Sequence, residues 1–310
     1  MALHKTLIAA ALTTLLVSPF AHAEKIGVTM ADSNPWLTLV ANGMKAQAAK
    51  TKGVTLLVED AQSDIGRQLS QIQNFTAQKV DAIIIVTVDS LATQKMTKLV
   101  TEAGIPLVYV NHPPGETKFP PKVTFVGSNE VDSGTLQTRE VCRLLGGKGK
   151  ILLIDGDLAN ESALQRSIDV KDVISKPPCT GMKIVDKRTA NWSRTEAADL
   201  MKNWLSAGTQ FDAVISNNDE MAIGAILALK ASGHMKKDTI VAGVDATRDA
   251  LASMKAGELK VTVFQDAYGQ GGGGVDAAVK MARGQKVPAA VWIPFELVTP
   301  SNVDKYLSKN

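Results

Sequence analysis

Nine side chains in this sequence have the types and placement to hold a small molecule: Asn34, Trp36, Asn111, His112, Arg166, Trp192, Asn218, Asp245 and Gln265. The amides, the guanidinium and the carboxylate offer planar donors and acceptors, which hydroxyl groups can satisfy in either sense. The two tryptophans offer flat faces that can stack on the apolar C–H face of a ring polyol. No set of catalytic groups accompanies them. Ser162 and Arg166 with His112 would be pieces of a hydrolase, but there is no G-x-S-x-G elbow, and beyond residue 23 the histidines are His112 and His234. Neither C-x-x-C nor H-E-x-x-H occurs, so neither a metal nor a cofactor is expected. Amides, one cation, one anion and aromatics, without a nucleophile, describe capture of a neutral polyhydroxylated ligand. Each residue alone reads equally well as a turn or cap; Asn218-Asp219-Glu220 would serve as an N-cap followed by acidic first-turn residues. What sets most of them apart is a shared place at the carboxyl ends of strands.

The first of these places organises the chain. Ile26, Val28 and Met30 form a short apolar run, residues 31–35 are turn formers, and apolar and small residues recur at helical spacing over 37–49. Asn34 and Trp36 therefore stand between a strand and a helix, where open α/β sheets bind ligands. The unit returns as strand 54–58, helix 65–78 and strand 82–86, whose unbroken apolar run predicts cover on both faces. A helix to 103 and strand 107–110 then deliver Asn111-His112, and strand 123–126 follows a proline-rich loop. After Gly127 the pattern restarts. Helix 131–145, strand 150–154, a helix from 162 bearing Arg166, and strand 183–185 lead to Trp192 and a helix through 204. Strand 213–216 ends at Asn218 before helix 220–230, strand 240–244 ends at Asp245 before helix 248–256, and strand 261–264 ends at Gln265. The expected fold is α/β, two doubly wound parallel-sheet halves.

Gly269-Gln-Gly271-Gly-Gly-Gly274 satisfies G-x-G-x-x-G before an expected helix at 272–283. It lies near the C-terminus, three residues separate it from its strand, and no strand ending in an acid follows at the required distance. These glycines are read as close-packing positions, not a dinucleotide site.

Composition narrows the class. The chain has 310 residues, 45% hydrophobic and 21% charged, with a net charge of +3 and 5% aromatics, so nothing resembles a nucleic-acid surface. Lys5 and His4, an apolar run over 7–17 and Ala21-His22-Ala23 form a signal-peptide pattern, from which a mature chain starting at Glu24 in the periplasm is expected. No lipid-attachment cysteine precedes that point. In an oxidising compartment the two cysteines, Cys142 and Cys179, are expected to be bridged, which contributes about 4 kcal/mol on the chain-entropy argument.

Several stretches together resemble the periplasmic sugar-binding proteins of the ribose and galactose type, which supply ABC importers. They are Asn34-Pro35-Trp36, residues 104–111, Ala163-Leu-Gln-Arg166, residues 218–224, Gly243-Val-Asp245 and Gln265. The resemblance covers essentially the whole chain after the leader and implies ligand contacts at these positions. It also implies two lobes, 24–128 plus 265–291 and 129–264 plus 292–310, joined by three crossovers that close like a hinge. Further implications are a monomer, an importer permease as partner and, in some members, a chemoreceptor. Ribose and glucose binders carry Asp-Arg where this chain has Asn111-His112. That departure, with Thr189-Ala-Asn-Trp192, looks like the inositol-binding branch, leaving a pentose, hexose or sugar alcohol as the alternative. The regulatory domain of LacI-type repressors shares the fold, but the export signal and the lack of a basic head speak against it.

Overall fold

A computed structural model describes residues 23–116 and 118–309. Apart from Ala23, the expected leader lies outside the described residues. Two lobes follow, each a parallel sheet between helices. The first opens with β1 (Glu24–Met30), α1 (Pro35–Lys50), β2 (Val54–Asp60), α2 (Ile65–Ala77) and β3 (Ala82–Ile85). A 3-10 turn at Ser90–Ala92, α3 (Thr93–Glu102), β4 (Leu107–Val110) and β5 (Val123–Gly127) complete its first pass. The second lobe holds α4 (Glu130–Leu144), β6 (Lys148–Asp155), α5 (Glu161–Ile174), β7 (Gly181–Thr189), α6 (Arg194–Ser206) and β8 (Ala213–Ser216). It continues with α7 (Asp219–Ala231), β9 (Ile240–Ala242), α8 (Arg248–Lys255) and β10 (Thr262–Phe264). The chain then returns to the first lobe as α9 (Ala267–Ala282) and β11 (Ala290–Trp292), and crosses once more to β12 (Glu296–Val298).

The first sheet has the order β11-β5-β4-β3-β1-β2, parallel throughout, and the second β7-β6-β8-β9. β10 and β12 pair antiparallel and are linked to β9 by isolated bridges. Alternation explains the double-sided burial. In β3, Ala82 and Ile84 face the core under α1 and α9, while Ile83 and Ile85 face the core under α2 and α3. In β8, Val214 faces the α6–α8 side and Ala213 and Ile215 the α4–α5 side, where Cys142 and Cys179 are joined in a disulfide.

The glycine run proves to be helix. α9 starts at Ala267, five residues earlier than sequence spacing suggests, because Asp266 caps it through Gly269 N–H (2.7 Å). A Cβ on Gly271 would stand 2.1 Å from the Val40 carbonyl oxygen, and one on Gly43 2.7 Å from the Tyr268 backbone. Gly43 and Gly271 let α1 and α9 lie backbone against backbone. Among the described residues no helix is long and apolar enough to cross a membrane.

Candidate ligand-binding site

The carboxyl ends of the two sheets face each other across a cavity of about 290 Å³. All nine sequence-derived residues line it: Asn34, Trp36, Asn111 and His112 from the first lobe, Arg166, Trp192, Asn218 and Asp245 from the second, and Gln265 on the second crossover. Asp32, Ser162, Asn191, Arg194 and Glu220 also border it.

Capping decides which atoms remain for a ligand. Asn34 Oδ1 accepts Leu37 N–H (2.9 Å) and Asn218 Oδ1 accepts Met221 N–H (3.0 Å), so each amide leaves its Nδ2 to donate. Asn111 Nδ2 gives one hydrogen to Gln270 Oε1 (2.8 Å), and Gln270 Nε2 passes on to Ser128 Oγ (2.8 Å), within the first crossover. The second hydrogen and Oδ1 of Asn111 are left. His112 Nδ1 faces the Thr87 carbonyl (2.8 Å), so Nδ1 carries the proton. Burial lowers the imidazole pKa, which keeps the ring neutral and leaves Nε2 as an acceptor.

Arg166 is fixed before any ligand arrives. Its Nε donates to Glu130 Oε2 (3.0 Å) and its Nη1 to the Asn217 carbonyl (2.6 Å), with Arg166 and Glu130 both nearly fully buried. Glu130 Oε1 in turn accepts from Ser162 Oγ (2.9 Å). The guanidinium carbon lies 5.8 Å from the Trp192 ring centroid and 5.9 Å from that of Phe295. Trp192 rests on Gly156, where a Cβ would come within 2.3 Å of the indole. At the rim, Arg194 clamps Glu220 with two bonds (2.9 and 2.8 Å) and reaches Asp249 (2.8 Å).

Backbone strain gathers at the same place. Asn111, Asn191, Trp192 and Asp245 all have positive φ (66°, 48°, 63° and 120°), as does Ala246 beside them (53°). Such conformations cost on the order of 1–3 kcal/mol each and persist where the surroundings impose them. The last two are held by their neighbours: Asp245 N–H donates to the Val263 carbonyl (2.8 Å) and Ala246 N–H to Thr262 Oγ1 (3.2 Å). Asp219 braces the turn, its Oδ2 accepting Thr247 N–H (2.8 Å) and its Oδ1 accepting from Thr262 Oγ1 (2.7 Å). Burial raises the Asp245 carboxyl well above the ordinary range, and Arg166 pulls it partly back.

Burial likewise raises Asp219 to about 7, against the hydrogen bonds from Thr262 and Thr247. A carboxyl raised on folding stabilises fully below its unfolded value of about 4, and that stability is lost as pH rises through about 7. Asparagine can keep both partners, since Thr262 Oγ1 can accept. The Tm of Asp219→Asn relative to wild type is therefore expected to climb by roughly a few degrees from pH 4 to 8. A difference flat with pH in thermal melts would show that Asp219 does not titrate in this window.

Residues 26–286 match the periplasmic binding protein domain. The chain belongs to the periplasmic binding protein family. A protein of Rhizobium meliloti named for rhizopine binding is 56% identical over 298 residues, 96% of each chain. A xylitol-binding protein of Mycolicibacterium smegmatis is 32% identical over 282 residues, 91% of this chain and 78% of the other. Among solved structures, an ABC transporter solute-binding protein of Bacillus halodurans with bound myo-inositol superposes with a TM-score of 0.89. It is 41% identical and covers 94% of this chain and 100% of its own. As a member of this family the protein is a binder of the sugar and polyol transport class, like these relatives, and not an enzyme.

Sequence reading missed Glu130, Gln270 and Ser128. An acid at a helix N-terminus reads as a solvated first-turn charge, and nothing local in Glu130-Val-Asp-Ser reveals its burial against Arg166. Asp32 and Glu220 sat beside recognised residues and read as turn and cap chemistry, and Asn191 entered only as part of the Thr189-Ala-Asn-Trp192 resemblance.

Proposed function

We propose that the protein captures a cyclic polyol, best fitted by myo-inositol, between two closing lobes in the periplasm and delivers it to an ABC importer. The observation that carries this is the Asn111-His112 corner. It presents an amide that both donates and accepts beside a neutral imidazole acceptor, with the Asp-Arg charges of ribose binders absent. Such a corner suits a ring in which every carbon bears a hydroxyl. The cavity size is at the small end for ligand sites, as a six-membered polyol requires. The myo-inositol-bound Bacillus halodurans structure supports the same ligand, and the Rhizobium meliloti relative makes a rhizopine the second reading.

Closure uses the lobes 24–128 plus 265–291 and 129–264 plus 292–310 as bodies that turn about the three crossovers. The export reading also fits the fold. β1 begins at Glu24, whose carboxylate grips Arg283 on the first lobe (2.6 and 3.0 Å), so cleavage before Glu24 removes no described strand or helix.

Calorimetric titration of refolded, ligand-stripped protein against myo-inositol, scyllo-inositol, a rhizopine, xylitol, ribose and glucose tests the assignment. Binding of myo-inositol is expected at micromolar Kd or tighter, about −8 kcal/mol or more favourable. A preference for ribose would overturn the inositol assignment, and tighter binding of a rhizopine would select the second reading.

A further inference from the structure

Ser90 stands where the two lobes touch away from the crossovers. It follows β3, which lies two strands along the sheet from β5, the strand that leads into the first crossover, a spacing of roughly 10 Å at about 4.8 Å per strand. Its backbone N–H donates to the Ala159 carbonyl (3.3 Å), and its Oγ accepts Glu161 N–H (3.3 Å). Ala159 and Glu161 belong to the second lobe, at the start of α5, the helix that carries Arg166. Ser90 is itself held from its own lobe. Its Oγ donates its single hydrogen to the Pro113 carbonyl (2.8 Å), and its carbonyl accepts from Gly115 N–H (3.0 Å) and Thr93 Oγ1 (2.7 Å). With that hydrogen committed, Oγ can offer the other lobe only a lone pair, which is what an N–H needs. Glu161 N–H is one of the first-turn donors that α5 cannot satisfy internally. Ser90 is 3% exposed and does not line the cavity.

We propose that Ser90 is a lobe-to-lobe latch, a residue that sets ligand affinity without touching ligand. The inference rests on the reading that the lobes open and close around a polyol. A contact made only in the closed form stabilises that form alone, and apparent affinity scales with the closed population. Losing the latch therefore weakens every ligand by one common factor. It acts on release, because the lobes must part before a ligand leaves, and association is unchanged. One neutral hydrogen bond corresponds to about 2- to 10-fold.

Two variants approach the contact from opposite lobes. Ser90→Ala removes the acceptor. Glu161→Pro removes the donor at the first helical position, where proline is tolerated, and Asn160 before it is already extended (φ −106°, ψ 124°). Glu161→Ala, which keeps the N–H, is its control. Myo-inositol and ribose are the probes, followed by titration calorimetry, by stopped-flow fluorescence of the cavity tryptophans Trp36 and Trp192, and by small-angle scattering. Ser90→Ala, and Glu161→Pro relative to Glu161→Ala, are expected to weaken both probes about 2- to 10-fold through faster release. The double variant should be no weaker than either single one. Wild-type affinities and release rates in both variants, or factors that differ between the probes, would overturn the latch while leaving polyol capture intact. Wild-type protein that binds neither probe, or binds without contracting, would overturn the closure reading and the latch with it. Should Ser90→Ala fail to fold, the Glu161 pair decides alone.

Discussion

Arg166→Ala is expected to weaken polyol binding by roughly 10- to 150-fold and to lower the Tm of the ligand-free protein. Two losses add. The cavity loses a charge-assisted donor, typically worth about 1.5–3 kcal/mol. Glu130, 6% exposed, loses the guanidinium that neutralises it, and breaking a buried pair from one side costs about 3–5 kcal/mol of stability. The losses can be separated. Arg166→Met with Glu130→Gln removes both charges, so it should recover much of the Tm and none of the affinity. Calorimetry and thermal melting on the three proteins check this. Near-native affinity in Arg166→Ala would mean that the guanidinium serves the fold alone.

The second large effect is selectivity at positions 111 and 112. Wild-type protein is expected to bind myo-inositol at least about 100-fold more tightly than ribose. A site that hydrogen-bonds its ligand's hydroxyls rejects an analogue that leaves its polar groups unpaired, by up to roughly 10⁴–10⁵. Asn111→Asp with His112→Arg should shrink that gap, chiefly by weakening inositol. The scaffold can take the change, because Gln270 can turn its amide to give Nε2 to the introduced carboxylate and accept from Ser128 Oγ through Oε1. Competition titration of the two ligands reads the result. An unchanged ratio would move the source of selectivity elsewhere, to Asp32 or the Arg194–Glu220 rim.

Much of the framework was legible because buried parallel strands declare themselves. Residues 107–110 and 213–216 are short apolar runs whose ends coincide with β4 and β8. The start of α9 was not legible: the glycines read as close-packing positions, but Gly269-Gln-Gly271 carries no apolar period to mark a first turn, and only the Asp266 cap fixes it. β11 and β12, no shorter than β9 and β10, are only partly buried and so do not declare themselves as core strands. At the site, residue types at strand ends were readable and their supports were not. Ala246 looks ordinary in sequence, yet its left-handed turn is held from a distance: its N–H donates to Thr262 Oγ1, which donates to Asp219, and the neighbouring Asp245 N–H donates to the Val263 carbonyl. Likewise Asn111, Gln270 and Ser128 are joined across more than half the chain, and local spacing carries no trace of that.

The threading of the lobes also bears on how the chain is made. β11 borders the first sheet beside β5, and α9 covers one of its faces, yet the four strands of the second sheet are all synthesised in between. At bacterial elongation rates the first lobe waits roughly ten to thirty seconds for its last strand. Through that interval the β5 edge and the apolar face meant for α9 stay open to other chains. The second lobe's four-stranded sheet, continuous from Lys148 to Ala242, has no such wait. Nascent chains stopped before residue 290 should therefore be sticky at their older half, and a holding chaperone would find its target there.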